Sequence, residues 1–240
     1  MVADPNRSIL TPRVHRMEGE LKVCDPLKVD HTRPMESWRI LKIMDELVRG
    51  FEILKKYKLA ASFFGSARST LRDPRMYEDA EELARRLAIS NFAIITGGAH
   101  GIMGAASKGA FTAGGESVGL NIKLPFEQLS NPYLTEEMMF NYFFTRRVML
   151  TFASEVYIFF PGGFGTLDEF FEIITLVQTK KIKRIPIVLY GRDFWAPLLS
   201  LVEDMLYKVQ RAIDESDLDL VVIVDSVDEA YEEILKRVKC

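Results

Sequence analysis

Hydrophobic positions in this chain follow two patterns that predict helices and strands. From residue 37 to 54, apolar residues recur every three or four positions, which is the spacing of an amphipathic helix. These residues are Trp38, Leu41, Met44, Leu47, Val48, Phe51 and Leu54. Further on, short apolar runs lack a regular alternation with polar residues, as is typical of strands buried on both faces. The predicted strands are 59–64, 92–96, 118–122, 156–160, 185–190 and 220–224.

Helical patterns lie between most of these strands. The clearest begins at Asp73-Pro74, an N-cap residue followed by proline at the first helical position. The others cover about 101–113, 145–153, 166–180, 194–209 and 227–238. Strands and helices in alternation predict an α/β fold, a Rossmann-like doubly wound parallel sheet with helices on both faces. We expect a single nucleotide-binding domain over residues 37–240, after a loosely ordered polar leader over residues 1–36 that carries four prolines.

Composition excludes several classes of function. Lys and Arg total 31 against 34 Asp and Glu, so the net charge of −3 does not suggest a nucleic-acid partner. No segment approaches the ~20 consecutive apolar residues of a membrane span, so no membrane partner is expected. Cys24 and Cys240 form no disulfide framework, and His15, His31 and His100 form no metal-ligand pattern with them. We therefore expect a cytoplasmic protein without a metal.

Three predicted strands end in glycine-containing loops, at 64–66, 96–101 and 160–166. Because the carboxyl ends of parallel strands meet at one edge of a sheet, all three loops should open there. A glycine loop that enters a helix can direct several N–H groups at an anion, so phosphate is the natural ligand. Three tight turns without a ligand are the alternative. The P-loop tripeptide Gly-Lys-Ser/Thr and the dinucleotide fingerprint G-x-G-x-x-G are both absent, which disfavours a nicotinamide dehydrogenase.

Charged residues near two of the predicted helix starts have two interpretations. Thr166 and Glu169 fit a capping box, which would account for Glu169 without any catalytic role. Asp168 fits a solvated position in the same turn. Arg146 and Arg147 lie in the first turn of a predicted helix, where positive charge opposes the helix dipole. Something anionic should compensate them, either a ligand or a nearby carboxylate.

The stretch PGGFGTLDE at residues 161–169 resembles the PGGxGTxxE signature of the LOG ("Lonely Guy") family, long labelled "possible lysine decarboxylase". Arg146 precedes Glu169 by 23 positions, the spacing between that family's arginine and glutamate. The likeness covers roughly residues 37–240 and includes TGGAHGIMGAASKGA and SVGLNIKLPFEQLSNPY. These segments resemble the longer bacterial branch of the family.

The resemblance implies a phosphoribohydrolase that cleaves the N-glycosidic bond of a nucleoside 5'-monophosphate, such as a cytokinin riboside monophosphate or an AMP-like compound, to free base and ribose 5-phosphate. It implies that Arg146 and Glu169 are the catalytic pair and that no cofactor is needed. The substrate contacts that it implies are Gly65, Ser66, Gly97, Gly98, Gly101, Met103, Arg147, Gly162, Gly163, Gly165 and Thr166. It further implies a homodimer or a higher homo-oligomer, with the helix around Trp38 as contact surface.

Two departures from the family pattern affect the expected choice of substrate. Residues 146–150 read RRVML where short plant-type members read RKAEM, so Met149 replaces a carboxylate. Ala99 and His100 stand where the long branch usually has Gly-Pro. A non-catalytic nucleotide sensor or carrier with the same loops is the alternative function. Lysine decarboxylation is disfavoured, because no lysine has a setting that suggests the Schiff base of pyridoxal phosphate.

Overall fold

The computed structural model describes residues 35–68, 74–124 and 129–238. The predicted leader lies outside the described residues except for its last two positions, and so do Asp73, Cys24, Cys240, His15 and His31. The other predicted elements can be compared with the structure directly.

Seven parallel strands form one sheet, with the order β4-β3-β2-β1-β5-β6-β7. The strands are β1 (Ala60–Phe64), β2 (Ala93–Thr96), β3 (Ser117–Ile122), β4 (Glu136–Phe140), β5 (Val156–Phe159), β6 (Ile187–Tyr190) and β7 (Val221–Val224). Five of them, β1, β2, β3, β5 and β6, are buried along their whole length, as their largely apolar runs predict. The predicted α/β fold with a parallel sheet is confirmed.

Helices cover both faces of this sheet. They are α1 (Met35–Leu54), α2 (Pro74–Ile89), α3 (Ile102–Thr112), α4 (Phe143–Thr151), α5 (Phe164–Gln178), α6 (Arg192–Val202) and α7 (Val227–Arg237). One hydrophobic core joins the sheet to α2, α3 and α7. The other core joins it to α4, α5 and α6, with α1 packed at its margin. None of the helices in these described segments is long and apolar enough to cross a lipid bilayer.

Two elements differ from the sequence-based prediction. Strand β4 was not predicted, because its sequence EEMMF contains two charged residues and only Met138 and Phe140 are buried in it. A strand at the edge of a sheet needs no continuous apolar run. The predicted helix over 194–209 is divided, since α6 ends at Val202 and residues Glu203–Val209 form a π-helix.

The strand order places a topological switch point between β1 and β5. The chain starts at β1 in the middle of the sheet, builds outward through β2 and β3 to β4, and then returns to β5 on the other side of β1. Loops that leave two such strands diverge and open a crevice at the carboxyl edge of the sheet. The loops at 64–66 and 160–166 border this crevice.

Candidate active site

The three glycine loops contact one another at the switch point. The Ser66 amide donates to the Pro161 carbonyl at 3.1 Å, and the Ile102 amide donates to the Ser66 carbonyl at 3.1 Å. The loop after β1 therefore lies between the other two. Sequence reasoning placed all three loops at one edge of the sheet, and the structure has them there.

Some of these glycines are required by close packing between the loops. Gly101 has a φ of 68°, and a Cβ atom there would lie 2.2 Å from the Ser66 carbonyl oxygen. A Cβ atom on Gly65 would lie 2.7 Å from the Ile102 side chain. The interpretation as tight turns therefore accounts for Gly65 and Gly101, whatever else these residues contact.

The loop before α5 has a different character. Gly163 is the N-cap residue of α5, and no side chain caps the helix. A Cβ atom on Gly163 or Gly165 would meet no atom within 4 Å, so both residues face open space. The hydroxyl of the buried Thr166 lies against Gly162. An uncapped helix start behind open glycines leaves N–H groups and the positive end of the helix dipole available to an anion.

The predicted capping box is wrong. It required Thr166 as the N-cap residue, but α5 begins at Phe164, so Thr166 is its third residue and Glu169 lies in the second turn. Phe164 is 94% exposed, so its side chain gives no periodic signal for the true start of the helix. The capping interpretation therefore no longer accounts for Glu169.

Arg146 reaches the crevice from the fourth position of α4. Its Nε donates to the Leu120 carbonyl within β3, at 2.7 Å. Its guanidinium packs on Gly97, where a Cβ atom would lie 2.3 Å from Arg146 Nη2 and 2.9 Å from Met103 Sδ. The structure thus brings together Arg146, Gly97 and Met103, which are far apart in the sequence.

Glu169 belongs to α5, the helix that follows β5 in the sequence, and it faces the same crevice. Its Oε2 atom is buried and has no hydrogen-bond partner. Burial raises the pKa of Glu169 to about 7; nearby Arg146 opposes this rise, and Glu172 adds to it. Burial lowers the pKa of the Arg146 guanidinium, and Glu169 opposes that shift in turn. The two charges therefore influence each other, although no direct ion pair joins them within the described residues.

Arg147, the next residue on α4, lies outside this pocket. Its side chain is 35% exposed and forms ion pairs with Asp168 and with Glu172, the latter at 2.9 Å. The sequence allowed either a ligand or a nearby carboxylate to compensate these arginines. For Arg147, the structure has the carboxylate. Asp168 is exposed as expected, but it is paired. The role of Arg147 as a substrate contact stays a prediction.

The two departures from the family pattern lie in different parts of the structure. Met149 is fully buried against α1, where a Cβ atom on Gly50 would lie 2.4 Å from its sulfur. Ala99 is buried in the second glycine loop, and His100 is exposed beside it. Met149 therefore fills a core position between two helices.

Two polar residues near the crevice were missed by sequence reasoning. The Asn131 side chain is buried and donates to the carbonyls of Gly98 and Ala99 at 3.1 and 3.2 Å, which holds the second glycine loop. Glu46 on α1 accepts hydrogen bonds at the start of α4. Both act across long sequence separations, and neither belongs to a local motif that could have revealed it.

Fold and site together define an α/β protein with a candidate anion site and a buried charge pair at the switch point of its sheet. Residues 103–234, more than half of the chain, match the family described as "Possible lysine decarboxylase". The chain belongs to this family, which is the LOG family that its PGGFGTLDE segment resembles.

Relatives with assigned names point the same way. The chain is 29% identical over 127 residues to the cytokinin riboside 5'-monophosphate phosphoribohydrolase of Rhodococcoides fascians, an alignment that covers 52% of this chain and 64% of that protein. It is 28% identical over 155 residues to a probable enzyme of the same name from Oryza sativa subsp. japonica, covering 63% and 62%. The chain thus spans somewhat less than two thirds of the length of these relatives.

Among solved structures, the molybdenum cofactor carrier protein of Chlamydomonas reinhardtii is similar in fold. It matches with a TM-score of 0.57 at 21% identity, and the match covers 75% of this chain and 97% of that one. At this identity the likeness concerns the fold alone.

Proposed function

We propose that this protein hydrolyses the N-glycosidic bond of a nucleoside 5'-monophosphate and releases a free base and ribose 5-phosphate. A cytokinin riboside monophosphate or an AMP-like nucleotide would be the substrate. The names of its relatives support a phosphoribohydrolase.

One observation carries the proposal. The Oε2 atom of Glu169 is buried without a hydrogen-bond partner among the described residues, near the partly buried Arg146, whose Nε donates to the Leu120 carbonyl. A folded protein rarely leaves a buried carboxylate oxygen unsatisfied unless a ligand or water completes its contacts. Pairs of charges with shifted pKa values in a crevice are characteristic of catalytic sites.

The chemistry of the reaction suits a carboxylate in this setting. Cleavage of an N-glycosidic bond gives the ribose an oxocarbenium-like transition state, as cleavage of an O-glycosidic bond does. An ionised Glu169 beside the anomeric carbon would stabilise that charge more strongly in the transition state than in the ground state, and it could orient the attacking water. Because arginine stays protonated, Arg146 would donate hydrogen bonds to the departing base or to the phosphate rather than transfer a proton.

The glycine loops would hold the nucleotide. The uncapped first turn of α5, with Gly162, Gly163, Gly165 and Thr166, is the proposed phosphate site. The second glycine loop, with Gly97, Gly98 and Gly101, would contact the nucleotide next to Met103, and Gly65 and Ser66 would border the crevice. Arg147 would be an outer contact.

Assembly is the remaining part of the proposal. The apolar stripe of α1 is largely exposed, with Trp38 68% and Val48 61% accessible. Exposed apolar stripes of this kind are typical of interaction surfaces. We propose that α1 contributes to a homodimer, or to a larger homo-oligomer, in the cytoplasm. Analytical ultracentrifugation of the protein and of Trp38→Glu would test this, since a monomeric parent protein would contradict it.

A substrate panel tests the activity. Purified protein incubated with AMP, GMP, CMP, UMP and isopentenyladenosine monophosphate should release a free base from at least one of them, detected by chromatography. Glu169→Ala should lower kcat roughly 100- to 10,000-fold while nucleotide binding remains. Asp168→Asn, which changes the neighbouring exposed carboxylate, is the matched control.

The same experiment distinguishes an enzyme from a carrier. If the folded protein binds a nucleoside monophosphate by calorimetry but releases base from none of the panel, the site is a binding site and the hydrolase proposal fails. If it neither binds nor cleaves any of these compounds, the nucleotide proposal fails as well.

A further inference from the structure

Glu46 is an unusual residue within α1. Most of this helix is exposed, and its outer face carries the apolar stripe around Trp38. Glu46 is nevertheless only 2% exposed. A buried carboxylate is costly unless it is fully hydrogen-bonded, so its partners indicate what it does.

The partners of Glu46 all lie at the start of α4. Its Oε1 atom accepts from the Asn141 amide at 2.7 Å and from Asn141 Nδ2 at 2.9 Å, and its Oε2 atom accepts from Thr145 Oγ1 at 2.5 Å. Burial alone would raise the pKa of Glu46, but the hydrogen bonds from Thr145 and Asn141 outweigh it, and the pKa is lowered. Glu46 is therefore held as a carboxylate.

Helix α4 depends on this carboxylate because it has no cap of its own. Tyr142 is its N-cap residue and makes no side-chain cap bond. Arg146 ends the first turn and Arg147 follows it, and positive charges this close to the N-terminus oppose the helix dipole. A negative charge at this end stabilises the helix and partly offsets the two arginines.

The contact continues one turn further along both helices. Gly50 follows Glu46 by four residues, Met149 follows Thr145 by four residues, and these two positions pack directly against each other. These two contacts, one helical turn apart, therefore fix the position of α4 along its axis and its rotation about that axis. Arg146 lies between Thr145 and Met149 on the same helix, and its hydrogen bond to the Leu120 carbonyl depends on that rotation.

We infer that Glu46 is a positioning residue, which fixes the start of α4 and thereby holds the Arg146 guanidinium on the Leu120 carbonyl, facing Glu169. Glu46 does not contact the substrate; it acts through Arg146. The kinetic part of this inference rests on the proposed function, whereas the geometric part does not.

The test compares Glu46→Gln with Glu52→Gln. Glu52 lies on the same helix, is exposed and pairs with the exposed Lys55, so its variant controls for loss of an α1 carboxylate. For Glu46→Gln we expect kcat to fall roughly 10- to 100-fold with KM within twofold of the parent value, because a displaced catalytic group costs rate more than binding. Thr145→Val, which removes one donor to Glu46, should lower kcat in the same direction by less.

A second measurement does not need any activity. The Nε–H proton of Arg146 should give a slowly exchanging NMR signal in protein labelled at arginine, assigned by its disappearance in Arg146→Lys. We expect Glu46→Gln to speed its exchange with water at least tenfold or to shift the signal, and Glu52→Gln to leave it unchanged. If the parent protein proves inactive, this measurement still decides the geometric inference.

Several outcomes would overturn the inference. One is a Glu46→Gln variant with an unchanged Arg146 signal, whatever its rate. Another is a kcat within twofold of the parent enzyme, or a change in KM alone. If Glu46→Gln does not fold, the Thr145→Val variant decides by the same two measurements.

Discussion

Arg146 and Arg147 are neighbours on one helix, yet they lie in opposite environments. The Arg147 side chain is at the surface between α4 and α5, where Asp168 and Glu172 compensate its charge. The Arg146 guanidinium is desolvated in the crevice on Gly97, where it donates to the Leu120 carbonyl, and within the described residues it forms no direct ion pair with the nearby Glu169. Their sequence positions give no hint of this difference.

The difference favours the crevice around Arg146 as the ligand site. Around Arg147 two carboxylates of the protein lie within ion-pair distance of the guanidinium, as at many surface sites. Around Arg146 it buries charge and leaves a carboxylate oxygen without a partner, which costs stability unless something else binds there. Sites that sacrifice stability in this manner are typically functional.

The largest effect is expected for Arg146→Ala. Because the buried guanidinium faces Glu169, its removal should lower kcat/KM about 100- to 1,000-fold, a loss typical of a removed electrostatic group in a catalytic site. Steady-state measurement of base release on the best substrate of the panel checks this. A loss below threefold would mean that the buried pair is not the reacting pair.

The next effect concerns Gly97, the surface on which Arg146 lies. A methyl group in Gly97→Ala would lie 2.3 Å from Arg146 Nη2, so the guanidinium must move, and we expect about a 100-fold loss in kcat/KM. Gly104→Ala on α3 is the matched control, because its Cβ atom would have only ordinary contacts, the nearest at 3.4 Å. Equal activities of the two variants would contradict the proposed geometry.

A smaller effect is expected from pH. The folded protein keeps a proton on Glu169 up to about pH 7, whereas an exposed glutamate loses it near 4.5. If the ionised form is the active one, kcat/KM should fall about tenfold for each pH unit below 7. A rate that rises toward pH 5 would instead assign Glu169 the role of an acid.

The raised pKa of Glu169 should also make the stability of the folded protein depend on pH, in a direction that can be predicted. Between pH 4.5 and about 7 the folded state binds a proton that the unfolded state has lost, so the contribution of Glu169 to stability falls as the pH rises. Each pH unit in this range lowers the free energy of unfolding by about 1.4 kcal/mol. Glu169→Gln should therefore be more stable than the parent protein by about 3 kcal/mol at pH 8, and almost equally stable at pH 4. Urea unfolding at both pH values measures this, and an equal gain at both would point to another cause.

The smallest effect is expected for Arg147→Ala. Because two protein carboxylates already compensate this arginine, we expect KM to rise no more than about threefold and stability to change by less than about 1 kcal/mol. Kinetics and thermal unfolding of the variant check both values. A loss as large as that of Arg146→Ala would remove the contrast between the two arginines.

Much of the fold could be predicted from the sequence, because buried parallel strands are continuous apolar runs and glycines mark the loops at their ends. The start of α5 could not, since Phe164 is exposed and Thr166-Leu167-Asp168-Glu169 imitates a capping signal. Nor could the partner of Arg147 or the role of Glu46 be predicted, because both depend on contacts between helices. Local patterns report local structure, whereas the neighbours of a charge are set by tertiary packing.

The place of β5 in the chain has one more consequence. Arg146 is carried by the helix that precedes β5, and Glu169 by the helix that follows it, so a single stretch of 36 residues, from Phe143 to Gln178, supplies both charges. The first half of the domain supplies Gly97, on the loop after β2, and Met103, on α3. Under the proposed function, mutation in that first half would alter which nucleobase is accepted, whereas the pair proposed to cleave the bond would be inherited intact on one continuous segment.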